Sequence, residues 1–285
     1  VDADRVAGYC LCHVVLSSCH LGFWRSCYGV RLRDANRFAS FRRRGCMTVC
    51  LKPDHRRDSM LPKSVYVFDA YGTLFDVNAA AREAATEQAH AALAKHWPQV
   101  AANWRAKQLE YTWLRAVAGH HCDFWQVTQD GLDWALEAAG LHDPATRARL
   151  LDLYWELAAY AEVPAMLATL KARGAKTAIL SNGSPAMLQA AVKSAEIAHM
   201  LDALLSVESV GVFKPHASVY DLVGARFGCA KGDVLFVSSN GWDAAGAAGY
   251  GFTTAWVNRA GAPIDRLYAK PTHVLPDLTA IPEVA

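Results

Sequence analysis

The chain has 285 residues, 53% of them hydrophobic and 20% charged, which is the composition of a folded globular protein and excludes disorder. Its length allows one large domain or two modest ones, and no apolar run reaches the 18 residues that would suggest a membrane-spanning helix. The net charge of +2 is unevenly placed: residues 1–59 carry 11 Lys/Arg against 5 Asp, and residues 60–285 carry 18 Lys/Arg against 22 Asp/Glu, so the mildly acidic body offers no general case for nucleic acid binding.

Residues 1–59 keep neither a strand period nor a helix period. Six of the eight cysteines lie there (Cys10, Cys12, Cys19, Cys27, Cys46 and Cys50), yet no CxxC pair or zinc spacing forms. The acidic start, Val1-Asp2-Ala3-Asp4, does not suit a signal peptide. Arg42-Arg43-Arg44 reads as a solvated charge run ahead of a nucleic acid patch. The expectation is a leader outside the working protein, either an over-long gene start or a disordered appended tail, with Met60 a natural beginning. Cys122 and Cys229, the two cysteines of the body, suit a reducing compartment, the cytoplasm.

The body opens on Val65 to Asp76, VYVFDAYGTLFD. Strand formers reach Asp69, and the run breaks at Gly72, as a buried strand entering a tight loop does. A carboxylate at the carboxyl end of a parallel strand stands where open α/β sheets bind ligands; the plainer role is a cap on the following helix.

Residues 77–160 carry a helical pattern. Ala91 to Trp97 is Ala-rich. Trp104, Leu109, Trp113, Leu114 and Val117 recur at helical spacing, with Gly119 as a stop. Further helices run through Phe124 to Ala139 and from Pro144 to Leu157. This predicts a small helical bundle inserted after the first strand, overhanging its end. Arg105 and Lys107 lie beside the apolar stripe, as surface charge or as a cation at the roof of a small cavity.

From residue 161 strands and helices alternate. Strands are predicted at Lys176–Leu180, Leu204–Val207, Val234–Val237 and Thr253–Val257, with a short edge strand at His273–Pro276. Helices are predicted at Pro164–Arg173, Pro185–Lys193 with Ser184 as cap, Ala217–Phe227 and Ala244–Tyr250. The alternation predicts a parallel sheet with helices on both faces and all carboxyl strand ends on one rim.

Polar residues gather at those ends: Asp69, Tyr71 and Thr73; Ser181 and Asn182; Lys214; then Ser238, Asn240 and Asp243. Four apolar runs ending this way make an active-site argument. Asp69 is the nucleophile candidate, Lys214 its counter-charge, and the neutral side chains are donors for a substrate carboxylate. Tyr71 stands where a second carboxylate would complete a magnesium site. The rim has no His for a Ser–His–Asp hydrolase and no Gly-rich phosphate loop.

Residues 65–76, with Ser181-Asn182-Gly183, Lys214-Pro215 and Ser238-Ser239-Asn240-Gly241-Trp242-Asp243, resemble the haloacid dehalogenase superfamily, and more narrowly the (S)-2-haloacid dehalogenases. The resemblance covers about 60–280. It implies a Rossmann-like core over 60–76 and 161–285 and a helical cap over 77–160. The superfamily's phosphatases read DxDxT; here Tyr71 replaces the second Asp, which argues against phosphate transfer. The resemblance further implies that Asp69 displaces halide from C2 of a short 2-halo acid with inversion, that water hydrolyses the aspartyl ester, and that no metal or other cofactor takes part. It gives Arg105 the departing halide, Asn182 and Trp242 the halide and substrate, and Ser181 the substrate carboxylate. Thr73 and Ser238 hold Asp69 and its surroundings. Lys214 pairs with Asp69, and Tyr220 lies near that lysine and the substrate. Asn240 and Asp243 position Asp69, Lys214 and water. Leu109 and Phe124 wall the alkyl side, with Tyr71 beside the substrate. The implied partners are a small halogenated acid, water and halide, with a homodimer expected and neither nucleic acid nor membrane. Two alternatives stay open: the same ester chemistry on a small strained cyclic amino acid, and a magnesium-dependent small-molecule phosphatase. The one departure from the family is the leader.

Overall fold

The computed structural model describes residues 63–284. The expectations for residues 1–59 and for a start at Met60 lie outside the described residues.

A six-stranded, all-parallel sheet forms the core. Its strands are β1 (Val65–Phe68), β2 (Lys176–Ser181), β3 (Ala203–Ser206), β4 (Val234–Ser238), β5 (Thr253–Val257) and β6 (His273–Leu275). Their order is β3-β2-β1-β4-β5-β6. The chain runs outward from β1 to β3, then returns to lay β4 on the other side of β1. That reversal opens a crevice at the carboxyl ends of β1, β2 and β4. Register levels those ends: Phe68 pairs with both Ile179 and Val237. Asp69 N–H still donates to Val237 O at 2.8 Å, so the strand's last backbone bond fixes the first catalytic-rim residue. All four residues of β1 are buried, as expected of a strand covered on both faces.

Helices α1 (Ala79–Ala84), α2 (Trp97–Ala118), α3 (Phe124–Ala138) and α4 (Pro144–Trp155) form the insertion. Within the helical pattern of residues 77–160, the Ala-rich stretch Ala91–Trp97 holds a 3₁₀ turn at Leu93–Lys95, after another at Gln88–His90, and α2 starts at Trp97 with Pro98 in its first turn. Proline lacks the N–H a helix interior requires and fits only that first turn. Gly119 ends α2 in the left-handed region, as predicted. Asp123 and Asp143 cap α3 and α4 through their carboxylates.

The insertion leaves and rejoins the core through two short paired segments. Asp76 N–H donates to Ala158 O at 3.0 Å and Tyr160 N–H to Leu74 O at 2.9 Å. Helices α5 (Val163–Ala172), α6 (Pro185–Ser194), α7 (Ala217–Phe227) and α8 (Gly241–Tyr250) complete the layers. Ser184 stands at the N-cap of α6, but its side chain makes no capping hydrogen bond. Helix α8 begins at Gly241, three residues before the predicted Ala244, so Trp242 and Asp243 lie in its first turn.

Candidate active site

Asp69 sits at the centre of the rim and caps no helix. Its Oδ2 accepts from Thr73 Oγ1 and from Asn240 Nδ2, each at 3.0 Å. Its Oδ1 accepts from Lys214 Nζ at 3.1 Å. The turn that makes this possible runs through Gly72, whose φ of +89° is open to glycine and strained for other residues. Ser239, which the sequence reading passed over, donates its N–H to Thr73 Oγ1 at 2.8 Å and so aims that hydroxyl at Asp69.

Lys214 is 1% exposed and Asp243 0%. Lys214 Nζ stands 2.8 Å from Asp243 Oδ2 as well as 3.1 Å from Asp69. Burial alone would lower the Lys214 pKa; Asp243 and Asp69 outweigh it and hold the ammonium above its ordinary range. Tyr220 donates its hydroxyl to Asp243 Oδ1 at 2.8 Å. It therefore lies behind the carboxylate pair, near Lys214 and apart from the residues lining the cavity. Ser238 is also withdrawn from the cavity: its Oγ accepts from Asn240 N–H at 3.1 Å and shapes the turn that delivers Asn240.

A narrow cavity of about 10 Å³ remains, lined by Asp69, Tyr71, Arg105, Leu109, Phe124, Ser181, Asn182, Lys214, Asn240 and Trp242. Of the fourteen site residues named from sequence, these ten meet there, while Thr73, Ser238, Tyr220 and Asp243 hold them from behind. Asn182 Oδ1 accepts from Lys214 N–H at 3.0 Å, which leaves its amide Nδ2 as the donor for a ligand. Ser181 Oγ accepts from Gly183 N–H at 3.1 Å, and its own proton is free to donate.

The roof comes from the cap. Arg105 on α2 donates from Nη2 to Tyr71 O at 3.1 Å and to Asn240 Oδ1 at 3.2 Å. Lys107 takes the other option read from sequence and stays at the surface, on Glu110 at 2.8 Å and over the Trp134 ring at 4.5 Å. Tyr71 is 3% exposed and stacks on Tyr154 with ring centroids 5.5 Å apart. Its ring leaves no room beside Gly183, where an added Cβ would approach Tyr71 Cε2 to 2.7 Å. Burial pushes the Tyr71 and Tyr154 phenols above their ordinary range. Tyr154 is steadied in turn by Gln108, whose Nε2 donates to its hydroxyl at 3.1 Å. Gln108 and Tyr154 support the site without reaching it, and their distance from any strand end hid them from the sequence reading.

Among the described residues, no group of three or more His, Cys, Asp or Glu is placed to hold a metal ion. The place between the two rim carboxylates is filled by an ammonium group. A carboxylate oxygen with one donor, a roof guanidinium and two side-chain donors on the opposite wall can together bind a small carboxylic acid and receive a departing anion.

Residues 63–251 match the haloacid dehalogenase-like hydrolase family. An (S)-2-haloacid dehalogenase of Pseudomonas fluorescens is 43% identical over 213 residues, 74% of this chain and 92% of that protein. Another, of Xanthobacter autotrophicus, is 46% identical over 194 residues, 68% of this chain and 74% of that protein. A solved structure of the L-2-haloacid dehalogenase from Xanthobacter autotrophicus with chloropropionic acid covalently bound aligns at a TM-score of 0.69 and 39% identity, covering 78% of this chain and 98% of that one. The chain belongs to the haloacid dehalogenase-like hydrolases and, within them, to the (S)-2-haloacid dehalogenases.

Proposed function

We propose that this protein hydrolyses short-chain (S)-2-haloalkanoic acids to (R)-2-hydroxy acids through an ester on Asp69. The observation that carries the reading is the unequal company of the two Asp69 oxygens. Among the described residues, Oδ1 has one donor, Lys214, and Oδ2 has two, Thr73 and Asn240. Oδ1 attacks C2 from the face opposite the halogen; the C–O bond forms as the carbon–halogen bond breaks, and the bonding pair leaves as halide. Arg105 and Asn182 face the developing anion, where their donors are worth most. In the ester, Oδ2 is the carbonyl oxygen. Water adds to Cγ, and the oxyanion that forms on Oδ2 already holds Thr73 Oγ1 and Asn240 Nδ2. Collapse expels the 2-hydroxy acid, which takes up one water proton, and restores the Asp69 carboxylate with release of the other. Ser181 and the Asn182 amide hold the substrate carboxylate, Leu109 and Phe124 face its alkyl carbon, and Asp243 fixes Lys214.

A halide leaves as a weak base, so no acid is required where the phosphatases keep an Asp and this chain keeps Tyr71. The reading includes turnover without a metal, supported by the Lys214 ammonium between Asp69 and Asp243. It also includes a cap domain over 77–160 and a homodimer, for which Leu114 at 57% and Trp134 at 40% exposure offer apolar surface on the outer cap. No described helix is long and apolar enough to cross a membrane; cytoplasmic placement is part of the proposal, with Cys122 and Cys229 as free thiols. The test is chloride release from the two enantiomers of 2-chloropropionate, with and without EDTA. Release from the (S) form alone, unchanged by EDTA and yielding (R)-lactate, is expected; no release from any 2-halo acid sinks the reading.

A further inference from the structure

Two spaces meet at Trp242. On one side is the catalytic cavity, whose volume of about 10 Å³ is room for roughly one water. That is less room than a halo acid fills. On the other side is an apolar space of about 570 Å³, within the range of small-molecule pockets, lined by Trp113, Ala116, Val117, Pro215, Leu267 and Tyr268 among others. Trp242 and Lys214 line both. Lys214 is pinned by two carboxylates and cannot leave. Trp242 is held differently. Its indole packs edge-on against Trp113 with centroids 5.3 Å apart, and its buried Nε1–H has no hydrogen-bond partner among the described residues. It can turn without breaking a hydrogen bond.

The apolar members of the catalytic cavity are Leu109, Phe124 and Trp242, with the Tyr71 ring beside them. A substrate held by its carboxylate on Ser181 and Asn182, with C2 at Asp69, must direct its carbon chain toward this wall. Leu109 belongs to α2 and Phe124 is fully packed in the cap core. Trp242 is the member of that wall with open apolar space behind it. We infer that this outer space is a second binding site, taking the alkyl chain of 2-halo acids longer than propionate, and that Trp242 is the swinging partition between it and the reacting centre. The inference rests on the dehalogenase reading and deepens it by naming the chain-length class. Each methylene that reaches the outer space removes about 0.8 kcal/mol of apolar surface from water, roughly fourfold in kcat/KM.

The test compares kcat/KM for (S)-2-chloropropionate and (S)-2-chlorohexanoate in the full chain and in two variants, Leu267→Asp and Val117→Asp. Both positions face solvent, at 45% and 90% exposure, and neither lines the catalytic cavity, so a carboxylate at each can reach water. The full chain is expected to turn over chlorohexanoate. In at least one variant the rate on chloropropionate should stay within about twofold while that on chlorohexanoate falls about tenfold or more, the loss of roughly two buried methylenes. An unchanged ratio of the two substrates in both variants, or a full chain that does not turn over chlorohexanoate, overturns the inference. A full chain that releases no chloride from chloropropionate contradicts the dehalogenase reading itself.

Discussion

At the scale of residues, the site is a chain of dependencies that runs from Tyr220 to Asp69. Tyr220 steadies Asp243, Asp243 fixes Lys214, and Lys214 fixes Asp69 Oδ1. Lys214→Met leaves Asp243 buried without its counter-charge. The expected cost is about 3–5 kcal/mol of unfolding free energy, part of it recovered in the double variant with Asp243→Asn; urea denaturation measures both. Tyr220→Phe separates support from substrate contact. Losing the hydroxyl leaves Asp243 Oδ1 short of a donor, so stability should fall by about 1–3 kcal/mol while KM for 2-chloropropionate holds. A raised KM with unchanged stability would place Tyr220 against the substrate after all. Asp69, Lys214 and Asn240 were legible because each closes an apolar run. Tyr220 was placed near Lys214 by the family resemblance alone, because the direction of a side chain from a helix is set by what the helix packs on, which spacing does not reveal.

At the scale of elements, the site depends on how closely the loops after β1 and β2 approach. Tyr71 lies over Gly183, and its ring stacks on Tyr154 of the cap. Gly183→Ala puts a methyl at 2.7 Å from the Tyr71 ring and should cost about 1–3 kcal/mol of stability, with activity lost alongside as Asn182 shifts. A variant with parental melting temperature and parental kcat/KM would refute the tight approach. The strands were legible to within a residue or so because short, buried Val/Ile/Leu runs bounded by Gly or polar residues admit few other readings. The start of the cap was not: an Ala-rich stretch carries strong helix propensity, yet Pro98 and tertiary contacts broke it into turns before α2. Gln108 and Tyr154 share that obscurity, since polar groups bonded across a helical bundle leave no local pattern.

At the scale of the whole molecule, buried protons tie stability to pH on the alkaline side. Burial raises the phenol pKa of Tyr71, Tyr154 and Tyr220, and Lys214 is raised by Asp243 and Asp69 against its own burial. A folded chain that keeps protons the unfolded chain releases gains stability below the unfolded values and loses it as pH rises through the folded ones. Stability should therefore hold to about pH 10 and fall steadily above it. Urea midpoints at about pH 8 and about pH 11 check this, together with tyrosinate absorbance. The Tyr71, Tyr154 and Tyr220 phenols should be among those that stay un-ionised until the chain unfolds; full ionisation in the folded state would contradict the burial of the Tyr71 stack. The parallel order of the sheet was legible from strand–helix alternation, whereas the reversal that sets β4 beside β1 depends on long-range pairing and left no mark on local sequence.

The central claim is that Asp69 itself forms the bond to carbon. A single turnover in ¹⁸O-water, with protein in excess over (S)-2-chloropropionate, tests it most directly, read by mass spectrometry of the product and of the peptide containing Asp69. The account predicts unlabelled lactate and one ¹⁸O in the Asp69 carboxylate, because water attacks Cγ and the original carboxylate oxygen leaves with the product. Labelled lactate with an unlabelled Asp69 peptide would mean that water displaces the halide directly, and would contradict it.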